Sequence, residues 1–149
     1  LQQRRSWYIG LFQIPGLAEA ALRARHGEAF RRMFRATPAD RAVFDDETIR
    51  QYQQAIARPG ALTAALNYYR ALVMVGPRGL FRGTGMRVTA PTLLIWGAQD
   101  IAFAPEVIQG AERFVPDLRV HTIPHASHWV QQVAPAEVNA AIARFLAED

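Results

Sequence analysis

The sequence predicts an α/β protein in which helices come first and a small parallel sheet comes last. Three observations carry that reading. Before Gly76 the apolar residues recur at helical spacing only. Between Gly76 and Thr89 lie four glycines, one proline and three arginines with little periodicity, a candidate domain boundary. After it the pattern becomes strand, helix, strand, helix. The apolar run Pro91-Thr-Leu-Leu-Ile-Trp96 stops at Gly97-Ala-Gln-Asp100, and a second extended run, Leu118 to Pro124, ends in His125-Ala-Ser-His128-Trp129. Open α/β sheets carry their sites at the carboxyl ends of strands. Two neighbouring parallel strands are therefore expected to deliver an acid and an imidazole side by side.

The elements follow in order. Ser6 to Gln13 is short and rich in aromatics, is expected to be buried, and ends at the breaker Ile14-Pro15-Gly16. Leu17 to about Phe34 reads as helix, with Leu22, Ala29, Phe30, Met33 and Phe34 on its apolar side; Gly27 implies one bent helix or two short ones. Thr37-Pro38-Ala39-Asp40 reads as a turn. Asp45-Asp46-Glu47 places negative charge at the start of a helix bearing Ile49, Tyr52 and Ile56. Pro59-Gly60 ends it and begins another, on which Leu62, Leu66, Tyr69 and Val73 share a stripe while Tyr68 lies about 100° away around the axis. Pro105 to about Phe114 reads as helix. Pro135, with Glu137 close behind, opens a last helix whose apolar positions are Val138, Ala141, Ile142, Phe145 and Leu146, expected to pack on the sheet. The domain reading is a helical region over 1–78, a linker over 79–89 and an α/β region over 90–149.

The 149 residues suffice for one ordinary domain with a core. No apolar run approaches the length that spans a membrane, about 18 residues. Cysteine is absent, which excludes disulfides, thiol nucleophiles and cysteine metal sites and fits a cytoplasmic protein. The first residues, Leu1-Gln-Gln-Arg-Arg5, lack a starting methionine and a following signal core, so the chain is expected to be part of something longer. All 17 basic residues are arginine. Residues 1–41 hold eight of them against Glu19, Glu28 and Asp40. They are interleaved with apolar residues at helical spacing, without stacking aromatics or a binding motif, so a solvated face is preferred to a nucleic-acid footprint.

Each candidate site residue has a plain structural reading beside the chemical one. Asp100 follows a strand and a glycine, where an aspartate commonly bonds its own backbone. His128 alone could be a buried histidine satisfied by a carbonyl. Together they form half of a proton-moving unit, in which the carboxylate fixes the tautomer and stabilises the imidazolium. His128, at the start of the loop into the last helix, is preferred to His125 as the base. A zinc site on the two histidines lacks a third ligand or a supporting motif, and no cofactor is called for. Tyr8 and Tyr69 lie in separate aromatic stretches, and on spacing alone each is a core tyrosine.

Ser6-Trp7-Tyr8, Phe12 to Gly16, Pro59 to Ala64, Asn67-Tyr68-Tyr69-Arg70, Leu94 to Asp100 and Ala126-Ser127-His128-Trp129 resemble the epoxide-hydrolase branch of the α/β-hydrolase superfamily. The resemblance covers nearly the whole chain, but only the C-terminal half of such an enzyme: most of a helical cap, then the last two core strands and their helices. It implies a partial α/β-hydrolase fold. It also implies that Tyr8 and Tyr69 bind and protonate an epoxide oxygen, that His128 activates water, and that Asp100 orients it. The order strand, acid, helix, strand, histidine is the order in which the superfamily presents the second and third members of its triad. The nucleophile precedes them, and the 149 residues contain no Gly-x-Ser-x-Gly, no equivalent aspartate elbow and no glycine-rich oxyanion loop. The expected partners are a small epoxide or ester substrate and the absent N-terminal half of the core. Neither nucleic acid nor a membrane is expected. The strand ending at Trp96 is expected to leave an apolar edge exposed and to promote association. A haloalkane dehalogenase, a serine esterase and a non-catalytic truncated fragment are the alternatives.

Overall fold

In the computed structural model, residues 5–80 and 87–148 are described. The chain divides into two compact units, Ser6–Arg82 and a second made of Leu1–Arg5 with Gly83–Asp149. Residues 81–86 of the expected linker lie outside the described residues.

The first unit is helical. Helix α1 (Trp7–Phe12) corrects the expectation of a buried segment, because none of its residues is fully buried and Trp7 is 70% exposed. A helix of this length packs along one side only. That side carries Tyr8 and Phe12, and Phe12 packs against the cluster of Ala18, Leu62 and Leu66. Helix α2 (Leu17–Phe34) matches the expected span, and Gly27 interrupts it with a left-handed φ of 77°. Phe34 is buried as expected, whereas Met33 is half-exposed. The expected turn at Thr37 is instead the start of a short helix, α3 (Pro38–Val43). Its cause is a reciprocal cap: Asp40 N–H donates to Thr37 Oγ1 at 3.1 Å and Thr37 N–H to Asp40 Oδ2 at 2.9 Å, with Pro38 at the first helical position.

Helix α4 (Asp46–Ala57) starts where the acidic run placed it, with Asp45 accepting from Thr48 N–H at 2.7 Å. Phe34, Phe44 and Tyr52 form an aromatic cluster around its base, Phe34 and Tyr52 stacking at 4.9 Å. Several arginines of the basic first third are drawn into ion pairs: Arg31 and Arg35 with Asp46, and Arg32 with Glu28.

Helix α5 (Ala61–Leu80) is broken by non-helical backbone at Gly76. Leu62 and Leu66 are buried and Tyr69 half-buried, while Tyr68 is 82% exposed, as the spacing requires. Val73 corrects the stripe: it is half-exposed, because the packed partners of α5, Phe12, Ala18 and Leu22, gather on its first turns.

A part-buried ion pair ties three of these helices together. The Arg70 guanidinium contacts both Glu19 carboxylate oxygens at 3.0 and 3.1 Å and also donates to the carbonyl of Phe12 at 2.9 Å. Glu19 in turn accepts from Gly16 N–H at 2.8 Å, closing the start of α2. The Glu19 carboxyl is held below its ordinary value first by its own backbone N–H, then by Arg70 and the Gly16 N–H, against the penalty of burial.

In the second unit, strands β1 (Thr92–Gly97) and β2 (Leu118–Ile123) pair in parallel, in register from Thr92↔Leu118 to Gly97↔Ile123. The expected helix between them is absent. Two short 3₁₀ turns, Pro105–Ile108 and Ala111–Arg113, stand in its place. Gln109 is extended and Gly110 left-handed at φ 83°, so the backbone cannot continue a helix through them. A single turn, α6 (Val130–Val133), leads into α7 (Pro135–Ala147), which packs against β1. The core joins Ile123, Ala126, Ala134 and Val138 with Ile95, Val130 and Val133. On α7, Val138 and Ala141 are buried as expected, but Ile142 and Leu146 are exposed. Among the described residues no helix is long and apolar enough to cross a membrane.

The Glu19–Arg70 pair sets a pH dependence. Because the folded carboxyl titrates below its ordinary 4.5, its contribution is complete above that value and is lost as pH falls through the lower folded one. Glu19→Gln is expected to destabilise the chain in urea at about pH 7, with the difference from the parent shrinking at about pH 3. An equal difference at both pH values would contradict this.

Candidate active site at the ends of the two strands

The pairing of β1 with β2 continues past the strands as a seam between two loops. Ala98 N–H donates to Ile123 O at 3.0 Å and Gln99 N–H to Ala126 O at 2.9 Å, while Asp100 N–H turns back to Gly97 O at 3.1 Å. The loops are in close contact at Gly97. A Cβ there would lie 2.1 Å from the carbonyl oxygen of Ser127 and 2.7 Å from that of Ala126, so only glycine fits. The seam brings the loop after β1 against the loop carrying the histidine.

Asp100 and His128 meet at this point. Asp100 Oδ2 lies 3.0 Å from His128 Nδ1, and Oδ1 accepts the backbone N–H groups of Ala102 at 2.7 Å and Phe103 at 2.9 Å. Both readings of Asp100 thus hold at once: one oxygen closes its own turn and the other holds the imidazole. The Asp100 side chain is 8% exposed and that of His128 31% exposed. The His128 ring packs 5.5 Å from the Phe103 ring and 5.0 Å from the indole of Trp129. Nδ1–H donating to a carboxylate selects the tautomer whose Nε2 carries a lone pair. Among the described residues Nε2 has no hydrogen-bond partner. An imidazole held in this way can take a proton from a water or hydroxyl group placed at Nε2.

His125 is placed differently, its Nε2 lying 3.1 Å from Glu137 Oε1 on the surface. No cluster of three or more histidine, cysteine or carboxylate residues suited to a metal occurs among the described residues.

The two tyrosines meet within the helical unit. Tyr8, on α1, and Tyr69, on α5, have ring centroids 6.1 Å apart and nearly perpendicular planes. Phe12 packs edge-on to Tyr69 at 5.0 Å and tilted against Tyr8 at 5.3 Å. Gln13 secures the junction by donating to the carbonyls of Ile9 and Tyr69 at 3.1 and 3.3 Å.

Sequence reasoning missed three contributors. Arg5 donates to the carbonyl oxygens of Asp100 and Phe103, and it carried no signal because its partners lie in a distant part of the chain. Phe103 stands between Asp100 and the segment from Pro105, where no local pattern marks it. Gly97 was read as a turn residue, whereas its role is to let two loops touch.

Residues 6–135 match the family described as the alpha/beta hydrolase fold. The chain belongs to that family. Among its α/β-hydrolase relatives, Epoxide hydrolase 2 of Caenorhabditis elegans is 35% identical over 153 residues, covering 99% of this chain and 42% of the relative. Epoxide hydrolase 3 of Xenopus tropicalis is 36% identical over 149 residues, covering 97% and 39%. The crystal structure of Bacillus megaterium epoxide hydrolase in complex with an inhibitor superposes with a TM-score of 0.82 at 27% identity, over 98% of this chain and 52% of that one. This α/β-hydrolase chain is therefore epoxide hydrolase-like, and it spans about half or less of the length of these relatives.

Gly97→Ala is expected to destabilise the C-terminal unit by about 1–3 kcal/mol, the usual cost of forcing a methylene into packed backbone. Urea unfolding followed by Trp96 and Trp129 fluorescence measures it. An alanine variant as stable as the parent would show that the two loops do not touch.

Proposed function

We propose that this chain is the cap and C-terminal core portion of an enzyme that hydrolyses small or aromatic epoxides to vicinal diols through an aspartyl ester. The observation that carries the reading is the Asp100–His128 contact at 3.0 Å, with Nδ1 turned to the carboxylate. The similarity to epoxide hydrolases and the paired phenols of Tyr8 and Tyr69 favour an epoxide over an ester or a haloalkane.

In this reading a carboxylate nucleophile, supplied by sequence beyond the 149 residues, attacks an epoxide carbon and opens the ring. The released alkoxide is a far stronger base than phenolate. The Tyr8 and Tyr69 hydroxyls donate to the developing charge, and one of them gives up its proton. His128 then removes a proton from water at Nε2, and the hydroxide attacks the ester carbonyl. Asp100 holds the imidazole in the required tautomer and stabilises the imidazolium. The ester breaks to release the diol and regenerate the carboxylate, and the proton on His128 returns to the phenolate through solvent. A general base and two acids without the nucleophile lack this covalent route, so the 149 residues by themselves do not turn over substrate.

Two results test the scheme. In the intact enzyme, His128→Gln is expected to accumulate an ester with saturating styrene oxide, seen by mass spectrometry as the added mass of one substrate per chain. No added mass counts against the two-step route. The purified 149-residue chain is expected to form no diol from styrene oxide, and diol formation abolished by His128→Ala would refute that part of the proposal.

A further inference from the structure

The guanidinium of Arg5 converges on the loop that presents the acid. Its Nη1 donates to the carbonyl oxygen of Asp100 at 2.9 Å and to that of Phe103 at 2.8 Å. Those two residues also bound the loop that Asp100 Oδ1 closes from within, through the N–H groups of Ala102 and Phe103. Both of them touch His128 as well, Asp100 through Oδ2 and Phe103 through its ring. The backbone seam with the histidine loop reaches Gln99. Beyond it, both the Asp100 carboxylate and Arg5 bond the loop backbone.

Two carbonyl oxygens aimed at one point repel each other unless a cation lies between them. A guanidinium nitrogen with two hydrogens satisfies both at once. Arg5 contacts neither oxygen of the Asp100 carboxylate, so Oδ1 remains with its turn and Oδ2 with the imidazole. We propose that Arg5 is the positioning residue of the His128–Asp100 pair: it fixes both ends of the acid loop and thereby holds His128 in the Nδ1–H form. The inference rests on reading that pair as the proton-moving unit of the hydrolase. Arg5 touches no reacting atom and acts only through Asp100 and Phe103.

The test reads the tautomer directly. Long-range ¹H–¹⁵N correlation spectra of the uniformly labelled chain, at a pH where imidazole is neutral, distinguish Nδ1–H from Nε2–H at His128. Free histidine in water favours Nε2–H. The parent chain is expected to show mainly Nδ1–H, and Asp100→Ala mainly Nε2–H. Arg5→Ala is expected to lower the Nδ1–H to Nε2–H ratio by about tenfold, part of the effect of losing its two charge-assisted contacts. Arg5→Gln, a shorter and neutral donor, serves if the alanine variant does not fold, and is expected to fall as well. Arg5→Lys is expected to retain most of the parent ratio, since an ammonium also donates to two carbonyls. Parent-like amide signals from β1 and β2 establish that each variant is folded. A parent-like ratio in folded Arg5→Ala or Arg5→Gln, with Asp100→Ala responding, overturns the role of Arg5 alone. A parent chain already dominated by Nε2–H and unaffected by Asp100→Ala overturns the reading of the pair, and this inference with it.

Discussion

The site depends on the in-register parallel pairing of β1 with β2. The pairing ends at Gly97↔Ile123, and the next two backbone hydrogen bonds, Ala98 to Ile123 and Gln99 to Ala126, extend it beyond the strands. Because successive residues of a strand face opposite sides, a slip of one residue would turn every side chain over. It would also carry the missing Cβ of Gly97 away from the Ser127 carbonyl that it accommodates. The pairing thus brings together the two loops on which Asp100 and His128 stand. The packing of Ile123, Ala126, Val138 and Ile95 fixes that geometry from beneath.

How much of this was legible in the sequence differs by element, for physical reasons. The two strands and the last helix announce themselves through apolar runs with sharp ends at Gly97, Pro124 and Pro135. The acid and the histidine were legible because they stand immediately after such ends. The short helix at Pro38 was hidden, because Thr37-Pro-Ala-Asp40 fits a turn and a helix start equally well; the reciprocal Thr37–Asp40 cap decides between them. The segment from Pro105 failed as a helix because Gln109 and Gly110 leave helical backbone. Arg5 was invisible, since long-range contacts to carbonyl oxygens leave no trace in side-chain pattern.

The helical unit shows the same division. Of the stripe Leu62, Leu66, Tyr69 and Val73, spacing alone places the first three and the exposure of Tyr68, but not Val73, which is half-exposed. That Tyr8 would reach the same cluster as Tyr69 follows from tertiary packing through Phe12, not from either local pattern. The Glu19–Arg70 pair likewise joins α2 to α5 and could not be foreseen from i to i+4 charge spacing. In the sheet unit the exposed apolar side chains include Val120 on β2 and Ile142 and Leu146 on α7, whereas those of β1, where the sequence reading expects an exposed apolar edge, are half-buried.

The central claim is that the Asp100 carboxylate and the His128 imidazole interact directly in the folded chain. A double-mutant cycle in urea, comparing Asp100→Ala, His128→Ala, the double variant and the parent, measures that interaction with the rest of the molecule held constant. The structure predicts a coupling free energy of about 1 kcal/mol or more. Single effects that add within about 0.3 kcal/mol would contradict it.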